Sequence, residues 1–180
     1  MSNKKLLGEE RRAFLLKVLQ EKKLPITGSE LAKETNVSRQ VIVNDITLLK
    51  AKNEPIIATS QGYLYMQPPT EKTSAEKIIA CLHRPEDTEQ ELNLLVDHGV
   101  TVRDVKVEHP VYGDLTASIM VSNRKEVEQF MEKIQSTRAS YLSALTEGIH
   151  LHTIAASDEK TLEDAIISLR NAGFLLNENE

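Results

Sequence analysis

The run GIHLHTIAA, residues 148–156, sets two histidines two positions apart among Ile, Leu and Thr. That composition favours a β-strand. On a strand, residues i and i+2 point to one face, so His150 and His152 stand side by side at a spacing suited to chelation. The residues on either side complete the pattern. SDEKTLEDAIISLRNAG (157–173) reads as a helix capped by Ser157 and stopped by Gly173. Working back towards the N-terminus, SNRKEVEQFMEKIQS (122–136) is a helix capped by Ser122 or Asn123, and TVRDVKVEHPVYGDLTASIMV (101–121) is two antiparallel strands around HPVYGD. PEDTEQELNLLVDHG (85–99) is a helix with Pro85 near its first position, acidic residues in its first turn and Gly99 at its end. SAEKIIACLHR (74–84) is a strand ending at His83. The order β-α-β-β-α-β-α describes a split β-α-β domain, with helices on one face of an antiparallel sheet.

In such a fold the strand ending at His83 and the strand carrying His150 and His152 are expected side by side at the centre. Glu91 follows His83 by eight residues, two turns into the next helix. Three imidazoles and a carboxylate then converge, a set suited to Zn²⁺, Ni²⁺, Co²⁺ or Fe²⁺ rather than Ca²⁺ or Mg²⁺. Spacing alone leaves Glu86, Asp87 and Glu89 as rivals to Glu91. Cys81 alternates with His83 along the strand, which makes it either a thiol behind the ligands or a small buried apolar residue. His98, in a last helical turn, reads as structural.

Ahead of this domain, MQPPTEKTS (66–74) holds Pro68-Pro69, which fit neither a helix interior nor a central strand. The boundary is placed there, giving domains of residues 1–68 and 69–180. In the first, EERRAFLLKVLQEKK carries an apolar stripe at Phe14, Leu15, Val18 and Leu19. SELAKETN follows as a short helix with Thr27 or Ser29 as cap. Asn36 sits in the next turn, tolerating the left-handed backbone that such turns need. VSRQVIVNDITLLKAKN is a third helix, capped by Ser38, with Val41, Ile42, Ile46 and Leu49 apolar. Small Ala32 lets the second and third helices cross closely. PIIATSQGYLYMQ reads as two short strands, a wing. The whole chain is therefore α+β: an N-terminal winged helix-turn-helix followed by the split β-α-β-like sheet domain.

A winged helix lays its third helix in the DNA major groove. Ser38, Arg39, Gln40, Val43 and Asn44 fall on the start and outer face of that helix. Arg can read guanine, and Gln or Asn adenine. Lys50, Thr59, Ser60 and Gln61 are candidates for phosphate, which positions without specifying. The net charge of −5 conceals a split: residues 1–66 balance at +4 and residues 67–180 at −9. Only the first part suits a polyanion. No apolar run reaches the roughly 20 residues of a membrane helix, and the basic start lacks the apolar core of a secretory signal. A single cysteine excludes an internal disulfide and suits a reducing cytoplasm.

SRQVIVNDI resembles the recognition helix of bacterial repressors of the biotin-repressor and DeoR type. A winged helix followed by LHRPEDTEQELNLLVDHG, VEHPVYGDL and GIHLHTIAA resembles the three-histidine (3H) domain family over essentially the whole chain. Its best-understood members are niacin-responsive transcriptional repressors. The resemblance implies a homodimeric, non-enzymatic repressor of NAD synthesis or niacin uptake genes, binding a palindromic operator with nicotinic acid as co-repressor. It also implies a divalent transition metal, Ni²⁺ or Zn²⁺ foremost, held by His83, Glu91, His150 and His152. His109 becomes a motif histidine and, with Tyr112 and Arg84, a candidate effector contact. Two rival readings are a metalloregulator for which the metal is the signal, and a metal-dependent hydrolase fused to a DNA-binding domain. Against the hydrolase, no second carboxylate is placed as general base, and neither a Ser-His-Asp set nor a Gly-rich phosphate loop is present.

Overall fold

The computed structural model describes residues 7–66 and 75–176. The boundary at 68/69, Pro68-Pro69 and the last residues, NENE, lie outside them. The chain forms two compact units that divide within the intervening segment.

In the first unit α1 (Gly8–Glu21), α2 (Gly28–Thr35) and α3 (Arg39–Ala51) precede the strands β1 (Ile56–Thr59) and β2 (Gly62–Tyr65). Local chemistry sets each boundary. Thr27 caps α2 in a full capping box: its hydroxyl accepts from Glu30 N, and Glu30 accepts from Thr27 N. Asn36 ends α2 in the left-handed conformation, φ 52°, and Ser38 caps α3. Leu15, Leu19, Leu31, Ile42, Ile46 and Leu49 close a core in which Ala32 is also buried. Arg11 is buried too, because its Nε donates to Asp45 at 2.5 Å. The wing is tied down by the pairing of Ile26 with Tyr63. That pairing requires Gly62: at φ 143°, an added Cβ would lie 2.4 Å from the Ile26 carbonyl oxygen.

The second unit runs β3 (Ala75–Leu82), α4 (Thr88–Asp97), β4 (Thr101–His109), β5 (Gly113–Val121), α5 (Arg124–Thr137), β6 (Ile149–Ala156) and α6 (Glu159–Ala172). The sheet order is β3-β6-β4-β5, with every pair antiparallel. It is split β-α-β twice over, since β6 lies between β3 and β4, and β4 lies between β5 and β6. The strand that leads into His83 and the strand that carries His150 and His152 are neighbours, but β3 is an edge strand and the centre is β6 and β4. The tail past α6 partly covers that edge, through the pairing of Cys81 with Leu175. The α6 cap is Asp158 rather than Ser157: its carboxylate accepts from Thr161 N at 2.9 Å, and an anion suits a helix start better than a hydroxyl. Asn123, not Ser122, caps α5. Ile79, Leu92, Leu95, Val121, Ile154 and Leu162 are among the core residues. His98 bridges α4 and α6, with Nδ1 on the Leu94 carbonyl and Nε2 on Ser168.

Candidate metal and effector site

Antiparallel register places Cys81 opposite His150 and Ile79 opposite His152. Cys81 on β3 and His83 just past its end, with His150 and His152 on β6, therefore share one side of the sheet. Glu91, on the buried face of α4, closes over them and is 0 % exposed. Its Oε2 lies 2.8 Å from His83 Nε2 and 3.3 Å from His152 Nε2, and its Oε1 lies 3.5 Å from His150 Nε2. Successive rings pack edge to face at 4.8 Å. Glu86, Asp87 and Glu89 take no part in this cluster; Glu91 is the carboxylate that the helix turns inward.

The far side of each ring assigns its tautomer. His83 Nδ1 contacts the Arg84 carbonyl at 2.8 Å, His150 Nδ1 that of Gly148 at 2.8 Å, and His152 Nδ1 that of Asp104 at 2.6 Å. A carbonyl only accepts, so each Nδ1 carries a proton. Each Nε2 must then either be protonated or offer a lone pair to a cation. Three imidazolium ions against one carboxylate would leave net positive charge buried, which is costly. A divalent cation removes the conflict: three neutral Nε2 donors and a carboxylate match the ligands of a transition metal, with the Nδ1 contacts as orienting hydrogen bonds. Among the described residues, Glu91 Oε1 is a buried oxygen without a hydrogen-bond partner. The residues fit a metal on these grounds.

The electrostatics follow the same geometry. Burial works against charge on Glu91, yet the His152 charge and the imidazole hydrogen bonds overcome it and hold the carboxyl well below its usual range. Burial likewise opposes charge on His83 and His152, and the Glu91 contacts outweigh it, raising both. Burial first and the Glu91 charge second push the Cys81 thiol up.

A cavity of about 190 Å³ adjoins the cluster. Glu91, His150 and His152 form part of its wall. Leu92, Phe130 and Tyr141 supply apolar surface, and Thr88 lines it with a buried hydroxyl that has no hydrogen-bond partner among the described residues. Sequence reading did not reach this cavity, because Phe130, Tyr141 and Thr88 come from separate segments with no shared motif. His109, Tyr112 and Arg84 do not line it. His109 Nδ1 accepts from Val111 N and Tyr112 N, holding the β4–β5 turn, and its ring packs on Tyr112 at 5.0 Å. Arg84 is exposed and meets the cluster only through its carbonyl.

In the first unit, Arg39, Gln40 and Asn44 are exposed along α3, and Val43 is half-buried. Gln40 Nε2 donates to Asn44 Oδ1 at 3.2 Å. Lys50 is exposed in the last turn. Ser38 and Thr59 are engaged locally: Ser38 caps α3, while Thr59 donates to the Gly62 carbonyl and accepts from Gln61 N within the wing turn.

These two architectures have counterparts in known proteins. Residues 76–178 match the model of the 3H domain, and residues 11–64 that of an HTH domain. Transcription repressor NadR of Bacillus subtilis (strain 168) is 62 % identical over 173 residues, 96 % of each chain. The chain belongs to the 3H-domain family. Probable transcription repressor NiaR of Thermotoga maritima is 38 % identical over 174 residues, 97 % of this chain and 98 % of its own. Both relatives span the two units, so the HTH-plus-3H arrangement is shared along with the domains. No helix among the described residues is long and apolar enough to cross a membrane.

Proposed function

We propose that this 3H-family chain is a cytoplasmic, homodimeric, DNA-binding repressor of NAD biosynthesis or niacin uptake genes, with nicotinic acid as co-repressor. His83, Glu91, His150 and His152 would hold a divalent transition metal, Ni²⁺ or Zn²⁺. The observation that carries the sensing half is the convergence of three Nε2 atoms on Glu91 beside an apolar cavity that Glu91, His150 and His152 help to line. The repressor half rests on the names of the two relatives and on the exposed outer face of α3.

The chain's own residues divide the work. The Nδ1–carbonyl contacts keep the three rings turned inward. Leu92, Phe130 and Tyr141 exclude water from one side of a flat ring, and the Thr88 hydroxyl offers it one polar contact. When bound, a transition metal would supply a Lewis-acidic position for a carboxylate or a pyridine nitrogen. Arg39, Gln40 and Asn44 would read base edges and Lys50 a phosphate, in a palindromic operator matched to the dimer. The cavity argues for a small organic effector over the metal as the signal, because a metal-only sensor has no need of it.

The test begins with selection of a duplex from a random pool on metal-loaded protein with nicotinic acid present. Affinity for the selected duplex is then measured with and without nicotinic acid. At least about tenfold tighter binding with the ligand is expected, a coupling of about 1.4 kcal/mol. Equal affinity sinks the co-repressor reading.

A further inference from the structure

Cys81 is the one cysteine of the chain and is fully buried. A buried cysteine by itself is ordinary core packing. Its surroundings are not ordinary. The β3–β6 register sets it directly opposite His150, which brings opposed Cβ atoms to about 4.5–5.5 Å. Cys81 Sγ, a Glu91 carboxylate oxygen and a His150 ring nitrogen all lie within 4.8 Å of one another. Among the described residues these three form a mutually close set of donors able to hold a metal ion. Donors about 2.0–2.3 Å from a tetrahedral metal sit roughly 3.3–3.8 Å apart. The trio therefore needs to contract by about 1.5 Å at most. Glu91 supplies the second, independent sign: a fully buried carboxylate whose Oε1 has no hydrogen-bond partner.

We propose that Cys81 is a metal-facing thiol, which becomes a thiolate ligand when a thiophilic divalent metal occupies the Glu91–histidine cluster. The proposal rests on the reading that this cluster holds a metal, and it makes the Cys81 sulfur one of four donors, beside Glu91, His150 and one further imidazole. In the step, the S–H bond breaks, a metal–sulfur bond forms, and the proton leaves to bulk buffer. A cation beside the sulfur reverses the local cost of ionising it. The chemical consequence is selectivity. A site of imidazole and carboxylate alone accepts Mn²⁺ and Fe²⁺ readily, whereas a thiolate tilts it towards Zn²⁺ and Co²⁺.

The experiment titrates Co²⁺ into the reduced, metal-free, full-length protein and records its absorption. Visible ligand-field bands report Co²⁺ held by the protein, and a near-ultraviolet thiolate-to-cobalt charge-transfer band reports sulfur bound to it. The expected result is both sets together, with Cys81→Ala losing the charge-transfer band, keeping the ligand-field bands and weakening Co²⁺ binding roughly tenfold. Cys81→Ala should leave Mn²⁺ affinity within about twofold. Ligand-field bands without charge transfer in the native protein overturn the inference and leave the metal site standing. No ligand-field bands at all overturn the metal reading and the inference with it. The native spectrum decides the matter even where Cys81→Ala fails to fold.

Discussion

Glu91 is the residue on which the second unit turns. It enters the core with no exposed surface and meets three imidazoles. Glu91→Gln keeps the shape and removes the charge. The expected result is a loss of about 100-fold or more in metal affinity, measured by chelator competition; retention of native affinity would put the metal elsewhere. Asp45 plays a comparable part in the first unit, buried against Arg11 and joined by Arg12 Nη1 at 3.3 Å. Asp45→Ala removes the buried carboxylate that pairs with the Arg11 and Arg12 guanidinium groups. It should lower the unfolding free energy of that unit by about 3–5 kcal/mol in urea, and pairing it with Arg11→Met should return much of the loss. The histidine pair was legible in the sequence because period-2 spacing survives folding, whereas spacing left Glu91 among Glu86, Asp87 and Glu89 and only the family resemblance singled it out. The Arg11–Asp45 pair was not, because partners 34 residues apart share no local pattern.

At the scale of elements, the site depends on a close approach of backbone to backbone. Gly148, at φ 98°, enters β6 so near β3 that an added Cβ would sit 2.4 Å from the His83 carbonyl oxygen. Its own carbonyl holds His150 Nδ1. Gly148→Ala must push the two histidine strands apart. It should cost both stability and metal affinity, the latter by about tenfold or more. Gly173→Ala is the control: φ there is also positive, at 78°, but open space surrounds it. It should cost about 1–2 kcal/mol of backbone strain and leave metal affinity unchanged. Paired melts and metal titrations of the two variants separate strain from site geometry; equal metal affinities would remove Gly148 from the site. The sequence carried strand and helix assignments well, yet it capped α6 with Ser157 where Asp158 does so, and it placed the His83 strand at the centre of the sheet. Strand order is settled by which faces pack, and each strand's own pattern says only that it is half-buried. The irregular register of β4 near Val102–Asp104 was equally silent, although it is Asp104 that turns its carbonyl to His152 Nδ1.

Across the whole molecule, two units differ in charge balance, +4 over residues 1–66 and −9 over residues 67–180, and pH tests the second. In the metal-free protein His83 and His152 are raised above their ordinary value of 6.5. A raised imidazole contributes stability that is fully present below the unfolded value and lost as pH climbs through the folded one. Glu91, held well below 4.5, contributes stability that is lost only as pH falls through its low folded value. The metal-free second unit should therefore be most stable between about pH 4.5 and 6.5 and soften above that window. Metal binding has the opposite slope, since it needs neutral imidazoles and must displace their protons. The gap in Tm between metal-loaded and metal-free protein should widen steadily from pH 5.5 to 8, measured by calorimetry at fixed Zn²⁺ excess. A gap that stays flat across that range would mean that metal and protons do not compete for the His83 and His152 nitrogens. The Glu91–histidine cluster would then be a buried ion-pair network, holding α4 to the sheet by its own charges.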